Sequence, residues 1–416
     1  MAGGTAVAFS TREKLERARL ASTVLAQLST SQKNALLLKI ADGLEKHSGK
    51  ILRANDEDVQ RSNLAGAMRD RLLLTPERIA QVAASVRDVA ALPDPVNEVL
   101  EEWTRPNGLL IRKVRVPLGV VGIVYESRPN VTVDAAVLCL KTGNAVVLRG
   151  GKEASASNQV LAEIMAGVDG IPAGAIELLD STSRDSVQEL IRARGLVDVV
   201  IPRGGPGLIA HVMENALVPV IETGAGNCHI FVDESADFEM ANRIILNAKT
   251  QRPSVCNAAE KLLVHVAVAA KFIPQIARKL TDAGVELRGD TETRRIAPRV
   301  LPATEQDWGE EYLRLCMAIG IVSGVDEAIE HINRYSTKHS EAIVTVSEIN
   351  ANKFLRKIDS AAVYWNASTR FTDGSEFGFG AEMGVSTQKL HCRGPFALKE
   401  LTSTKYQIKG TGQIRE

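Results

Sequence analysis

Between residues 119 and 364, short apolar runs rich in β-branched residues alternate with helical stretches, and this alternation restricts the fold more than any other feature. The first runs stand at 119–124, 145–148, 176–179 and 197–201, with helices expected at 133–141, 155–166 and from about 185 and 207. A second series follows residue 222. Its strands are expected at 229–232, 262–266, 318–322, 342–346 and 361–364, with helices at 237–250 and 268–283 among them. Strands joined by helices of this length pair in parallel, and the helices cover both faces of the sheet. The chain is therefore expected to form two α/β units in tandem, with 221–228 (IETGAGNC) as the crossing between them.

The flanks read differently. In the first hundred residues, Leu15, Ala18, Leu20, Val24, Leu25 and Leu28 recur at spacings of three and four, as on one helix face. Ser29 and Gln32 are spaced as a capping box, and Thr75-Pro76 opens a further helix that Pro93 and Pro95 end. The stretch 109–116 (LLIRKVRV) mixes branched apolar and basic residues, as an edge strand does. The stretch 402–409 (TSTKYQIK) is a last exposed strand.

Composition excludes several functions. Lysine and arginine total 50, as do aspartate and glutamate, so no net charge draws the chain to nucleic acid or an anionic membrane. Aromatic residues are 4 % of the chain, too few for base-stacking platforms. The five cysteines are odd in number and widely spaced, with no C-x-x-C pair. Neither a disulfide framework nor a metal site is expected, and a reducing cytoplasmic compartment is. The N-terminus lacks a basic region followed by an apolar one, so no secretion leader is expected. Apolar runs such as 116–124 are broken by proline and glycine and fall short of the roughly 20 residues a membrane span needs.

Chemistry-bearing motifs are few. No G-x-G-x-x-G and no P-loop occur; Gly204-Gly205-Pro206-Gly207 and Gly224-Ala225-Gly226 have other spacings. The segment 144–153 (NAVVLRGGKE) ends a strand at Arg149, frees the backbone at Gly150 and Gly151, and places Lys152 before a helix. That is either a phosphate site or a turn with a solvated lysine. Cys139 and Cys316 have apolar neighbours and read as core, and Cys228 as packing at a strand start. Cys256 sits in 249–260 (KTQRPSVCNAAE), where a helix N-terminus near Lys249 and Arg252 would raise its thiolate fraction. The alternative is a small buried hydrophobe. The histidines fall on unrelated segments and single out no partner for it.

Cys256 in QRPSVCNAAEKLLVH, Glu222 in PVIETGAGNCHIFVD, and the segments VYESRPNV, LRGGKEA, IPRGG, NASTRFTDGSEFGFGAEMGVST and HCRGP together resemble the aldehyde dehydrogenase superfamily. They are most similar to its branch that reduces γ-glutamyl phosphate to glutamate 5-semialdehyde in proline biosynthesis, over nearly the whole chain. The resemblance implies an α/β fold with a Rossmann-like NADP(H)-binding domain at 1–102 and 118–224 and a catalytic domain at 225–385. It also implies oligomerisation strands at 103–117 and 401–416, with 386–400 packing back on the cofactor domain. Some members carry a glutamate kinase domain in front, and none is expected here.

The resemblance also implies a role for each motif residue. Cys256 attacks the acyl phosphate, phosphate leaves, and the thioester is reduced with NADPH. Glu222, Ser127 and Asn257 join Cys256 in the catalytic group, with the Cys256 N–H and the 127–130 loop as oxyanion donors. In hydrolytic members the residue at Glu222 activates water, which here would waste the intermediate, so Glu222 either moves a proton or shapes the loop. The cofactor falls to Arg149, Gly150, Gly151, Lys152, Arg203, Gly204, Gly205 and Glu311. Lys152 stands where NAD-preferring members carry an acid, which favours the 2′-phosphate of NADP(H). Arg128, Asn130, Arg252, Arg370 and Arg393 are candidates for the substrate's carboxylate and phosphate, and Glu126 or Glu382 for its ammonium. A homodimer or homotetramer, and association with glutamate 5-kinase, are further expectations. The alternatives are another oxidoreductase of the superfamily, or a non-catalytic NADP-binding protein.

Overall fold

Ser10 starts the first helix: its hydroxyl accepts from the Glu13 N–H, and the Glu13 carboxylate accepts from the Ser10 N–H. In this computed structural model, which describes residues 9–183 and 185–415, α1 (Thr11–Leu25) buries Leu15, Ala18, Ala21, Ser22 and Leu25. Leu20 and Val24 were expected on that face and are exposed, because they lie around the helix from the 15–18–22–25 line. The first eight residues, where no leader is expected, lie outside the described residues. The Ser29–Gln32 capping box opens α2 (Thr30–Lys46) as expected. After α3 (Ser48–Arg61) and α4 (Gly66–Leu72), Thr75 and Pro76 open α5 (Pro76–Ala91), and the chain leaves it before Pro93.

Two strands follow, β1 (Val99–Thr104) and β2 (Leu110–Pro117). The alternating region then runs β3 (Val120–Tyr125), α6 (Pro129–Lys141), β4 (Ala145–Arg149), α7 (Ser155–Ala166), β5 (Ile176–Leu178), α8 (Asp185–Arg192), β6 (Val199–Arg203) and α9 (Pro206–Asn215). Its sheet has the order β5-β4-β3-β6, wholly parallel. All six residues of β3 are buried, as in a strand covered on both faces. The order reverses between β3 and β6, so the carboxyl ends of these strands flank the crevice where open α/β sheets take ligands.

The second series contains β7 (Cys228–Val232), α10 (Phe238–Thr250), β8 (Ala259–His265), α11 (Val266–Asp282), β9 (Glu286–Gly289), α12 (Thr291–Ile296), β10 (Leu301–Pro302), α13 (Glu305–Gly309), β11 (Cys316–Val322), α14 (Val325–Tyr335), β12 (Ser340–Val344), α15 (Glu348–Lys357) and β13 (Ala362–Trp365). The sheet order is β10-β9-β11-β8-β7-β12-β13, again parallel. Ile230, Val232, Leu262 and Val264 pack with Phe272 and Ile273 of α11. Phe231 and Leu263, the residues between them, pack with Ile329 of α14 and Phe354 of α15. Period-two alternation thus divides the core between the two faces of the sheet. The short β9 and β10 were not anticipated, because a four-residue ELRG and a two-residue LP carry no strand pattern.

The chain ends with β14 (Gly384–Ser386), β15 (Gly394–Phe396), which pairs with it, and β16 (Thr402–Lys409). β16 joins β2 antiparallel, giving the order β1-β2-β16. The stretch 109–116 is therefore central and not an edge, which corrects the expectation. Its basic residues do not repel a neighbour: Lys113 pairs with Glu101 at 2.8 Å, Arg115 with Glu98 at 2.8 Å, and Arg112 with Glu102. β1, with every residue exposed, is one edge and β16 the other.

The chain divides into two compact units, one of Met1–Glu222, Phe379–Gly384 and Phe396–Glu416, the other of Thr223–Gly378 and Val385–Pro395. The return stretch expected at 386–400 is thus split at Pro395. No helix among the described residues is long and apolar enough to cross a membrane.

In the second unit, His331 on α14 packs against His229, Trp308 and Tyr335, and its Nε2 is buried without a partner. Desolvation, then the neighbouring His229, push its pKa down to about 3. An unfolded histidine binds a proton below about pH 6.5, so stability falls as pH drops from there towards 3, by up to about 1.4 kcal/mol per unit. Urea unfolding of His331→Phe between pH 7 and 4.5 should show a shallower acid loss than the parent; an unchanged slope refutes the assignment.

Candidate active site

Cys256 lies in the turn between α10 and β8, half-buried, while the other four cysteines are buried. The expected helix N-terminus is absent. Residues 259–265 enter the sheet between β7 and β11, where a backbone pairs on both sides, and this overrides the helix-compatible alanines. Lys249 is not a free cation beside the thiol either. It is fully buried in an ion pair with Glu260 at 2.7 Å.

The loop before β7 presses on the nucleophile's backbone. A Cβ on Gly226 would fall 1.4 Å from the Cys256 carbonyl oxygen, so only glycine fits there. The Cys228 thiol donates to that same carbonyl at 3.1 Å. The Gly226 N–H donates to Glu311 Oε1 at 2.7 Å, and burial raises the Glu311 pKa against the pull of that donor. Cys256 and Glu311 thus both precede their strands, β8 and β11, at the amino end of the parallel sheet.

Asn257 is buried, and its side chain is spent on structure. Its Nδ2 donates to the carbonyls of Thr372 at 2.9 Å and Arg370 at 3.4 Å, and its Oδ1 accepts from Arg370 Nη1. Thr369 Oγ1 returns a bond to the Asn257 carbonyl at 2.7 Å. Asn257, expected in the catalytic group, clamps the cysteine turn to residues 369–372 through these bonds. Arg370 also donates to Gln251 at 2.9 Å. Its hydrogen-bond partners are neutral, and it lies in electrostatic range of Arg252, Asp373 and Cys256; burial first and Arg252 second lower its pKa against the pull of Asp373. Arg252 is exposed and makes no ion pair among the described residues. Arg393 is engaged with an acid: its guanidinium holds the Asp359 carboxylate at 2.9 Å and carbonyl at 2.8 Å.

In the first unit the expected cofactor residues gather at the carboxyl ends of β4 and β6. Arg149 is spent on the carbonyls of Gly150, Ser181 and Ser183 and on Ser186 Oγ, so it shapes the loop and is not a free cation. Gly150 has no room for a side chain, since a Cβ would lie 2.2 Å from Asn158 Nδ2. Lys152 is exposed and without an ion pair among the described residues. The Gly205 N–H donates to Glu126 Oε1 at 2.8 Å, which ties the loop after β6 to the loop after β3 and occupies the carboxylate considered for an ammonium. The Ser127 hydroxyl donates to Glu153 Oε2 at 2.9 Å, so its proton is not offered to an oxyanion here. Asn130 bonds to Asp134 at 3.1 Å, Arg128 immediately precedes α6, and Glu222 is the half-buried residue before the second unit. Glu382 lies in the 379–384 segment of the first unit. Lys152, together with glycine backbone at a sheet's ligand-binding end, fits the anionic part of a dinucleotide.

One α/β unit carries a half-buried thiol on a constrained turn, and the other a dinucleotide-type strand end, features of the class of α/β oxidoreductases. The aldehyde dehydrogenase family model matches residues 5–307. The chain is 66 % identical over 409 residues to γ-glutamyl phosphate reductase of Koribacter versatilis, covering 98 % of this chain and all of that one. It is 58 % identical over 416 residues to the protein of the same name from Moorella thermoacetica, covering 99 % and 100 %. The crystal structure of γ-glutamyl phosphate reductase from Thermotoga maritima superposes with a TM-score of 0.96 at 50 % identity, covering 98 % and 100 %. The chain belongs to the aldehyde dehydrogenase family and, within it, to the γ-glutamyl phosphate reductases. Membership implies a nicotinamide cofactor.

Two features escaped the sequence reading: the steric demand at Gly226 and the Lys249–Glu260 pair. The glycine stood in a visible motif, but its neighbour is 30 residues away, and no local pattern announces that contact. Gly226→Ala should destabilise the second unit by about 1–3 kcal/mol through overpacking and change the rate at which iodoacetamide alkylates Cys256. A parental melting transition and alkylation rate would show that the turn accepts the methyl.

Proposed function

We propose that this protein reduces L-glutamyl 5-phosphate to L-glutamate 5-semialdehyde with NADPH, releasing phosphate, in proline biosynthesis in the cytoplasm. The observation that carries this reading is the half-buried Cys256 on its constrained turn, in a chain 66 % identical along its length to a protein named for that reaction. The Cys256 thiolate attacks the acyl carbon, and the carbon–oxygen bond to phosphate breaks with its electron pair on phosphate. An acyl phosphate is already activated, so the step needs no ATP. When bound, a reduced nicotinamide supplies the hydride that takes the Cys256 thioester to the aldehyde.

The chain's own residues then have distinct tasks. The backbone N–H of Cys256 serves as oxyanion donor in this reading, a contact of a kind typically worth about 3 kcal/mol. Arg252 and Arg370, near the nucleophile and without carboxylate partners in hydrogen-bond contact among the described residues, suit the phosphate and carboxylate of the substrate. Lys152 suits the 2′-phosphate of NADPH. Glu222 moves a proton or shapes its loop. The exposed strands β1 and β16, with Trp103 against Tyr406 at 6.2 Å, support assembly into a homo-oligomer through this sheet.

Purified protein given NADP⁺, inorganic phosphate and glutamate semialdehyde, in equilibrium with its cyclic form, should generate NADPH absorbance, and should fail to without phosphate or in Cys256→Ala. Phosphate-independent turnover, or an active Cys256→Ala protein, defeats the reading. Lys152→Glu should weaken NADPH binding roughly tenfold or more, the worth of one charge-assisted hydrogen bond, and leave NADH little changed. Equal losses with both cofactors would remove Lys152 from the 2′-phosphate.

A further inference from the structure

Lys249 and Glu260 are both fully buried, 2.7 Å apart, and belong to no part of the chemistry above. They stand at the last turn of α10 and the start of β8, the two ends of the turn that carries Cys256. Two charges removed from water gain little over an apolar pair of the same shape, so stability alone gives no reason for them. Glu260 does more than hold Lys249. Its Oε1 accepts from the Leu313 N–H at 3.2 Å, and Leu313 has φ of 52°, a left-handed backbone that a leucine keeps only under constraint. The next residue, Lys261, donates to the Glu310 carbonyl at 2.6 Å and lies 4.3 Å over the Tyr312 ring. Residues 310–313 are thus held by β8 on both sides of Glu311. Glu311 in turn holds Gly226, and Gly226 rests on the Cys256 carbonyl.

These contacts close a ring from the nucleophile's turn through Glu260 to the Glu311 segment, then through Gly226 back to Cys256. We infer that the Lys249–Glu260 pair is a positioning device that sets the nucleophile and Glu311 in register with each other. The pair touches neither substrate nor cofactor and acts through the two segments that it anchors. The inference rests on Cys256 as nucleophile and Glu311 as a cofactor contact, and it deepens that reading.

Two variants of the full chain test it. Lys249→Met with Glu260→Leu replaces both charges by apolar side chains, which avoids an unpaired buried charge. Glu260→Gln keeps the shape and an acceptor for the Leu313 N–H. In the double variant kcat should fall about 10²-fold, the scale of a misplacement near 1 Å, with little change in KM for the acyl phosphate. NADPH affinity, read by fluorescence titration, should fall roughly tenfold as Glu311 loses its place. Alkylation of Cys256 by iodoacetamide, followed by mass spectrometry without cofactor or substrate, should change in rate, and Glu260→Gln should recover part of each loss. Thermal melts report folding, and if the double variant does not fold, Glu260→Gln decides, with the same losses expected at smaller size. Parental kcat, NADPH affinity and alkylation rate in a folded variant overturn the inference. Because the alkylation and binding readouts need no turnover, a wrong substrate would leave them unaffected and would appear only in the kinetic arm.

Discussion

Gly226 and the carbonyl of Cys256 meet so closely that no side chain could stand between them, and much of the second unit's geometry depends on this contact. It brings the loop before β7 onto the nucleophile's turn and points the Gly226 N–H at Glu311. It also forces two segments with unsatisfied backbone groups into a small space, where each group must find a partner. The thiol of Cys228 and the hydroxyl of Thr369 supply such partners to the carbonyls of Cys256 and Asn257. The turn is therefore constrained from several directions, and of the five cysteines Cys256 is the one that is not buried.

The candidate residues stand at opposite strand ends in the two parallel sheets. In the first unit the candidate cofactor loops follow β4 and β6, at the carboxyl ends, where parallel sheets ordinarily bind ligands. In the second unit Cys256, Gly226 and Glu311 all precede their strands. Carboxyl-end loops are followed by helix N-termini that suit phosphates. An amino-end loop offers instead a short chain segment gripped by the strand that it enters, which suits a side chain that must not move.

Many polar residues in the family motifs serve the scaffold. Arg149 binds carbonyls, Arg393 binds Asp359, Glu126 binds the Gly205 N–H, and Asn257 clamps residues 369–372. Such residues keep loops in place, because a buried polar group without a partner costs more than a well-made bond gains. Among the described residues, Lys152, Arg252 and Arg370 have no carboxylate partner in hydrogen-bond contact. A chain with no net charge thus keeps local positive charge at the candidate sites, and Lys249 shows that a lysine near Cys256 in sequence can be neutralised in space.

Local rules were enough for the helices, their caps and most strands, because capping, periodicity and proline act within a few residues. The Ser29–Gln32 box, the Thr75-Pro76 start and the 402–409 strand needed no distant partner to be read. The motif around Cys256 was legible because a nucleophile's neighbours in sequence are part of its signature. Tertiary structure decided the rest. Whether Leu20 faces the core, whether 110–117 is a central strand, and whether 256–258 opens a helix or feeds a sheet all depend on neighbours far along the chain. The register of Glu311, Gly226 and Cys256 depends on contacts spanning 30 to 85 residues. Hydrogen bonds and steric exclusion act across space, and only the folded chain brings those residues within their range.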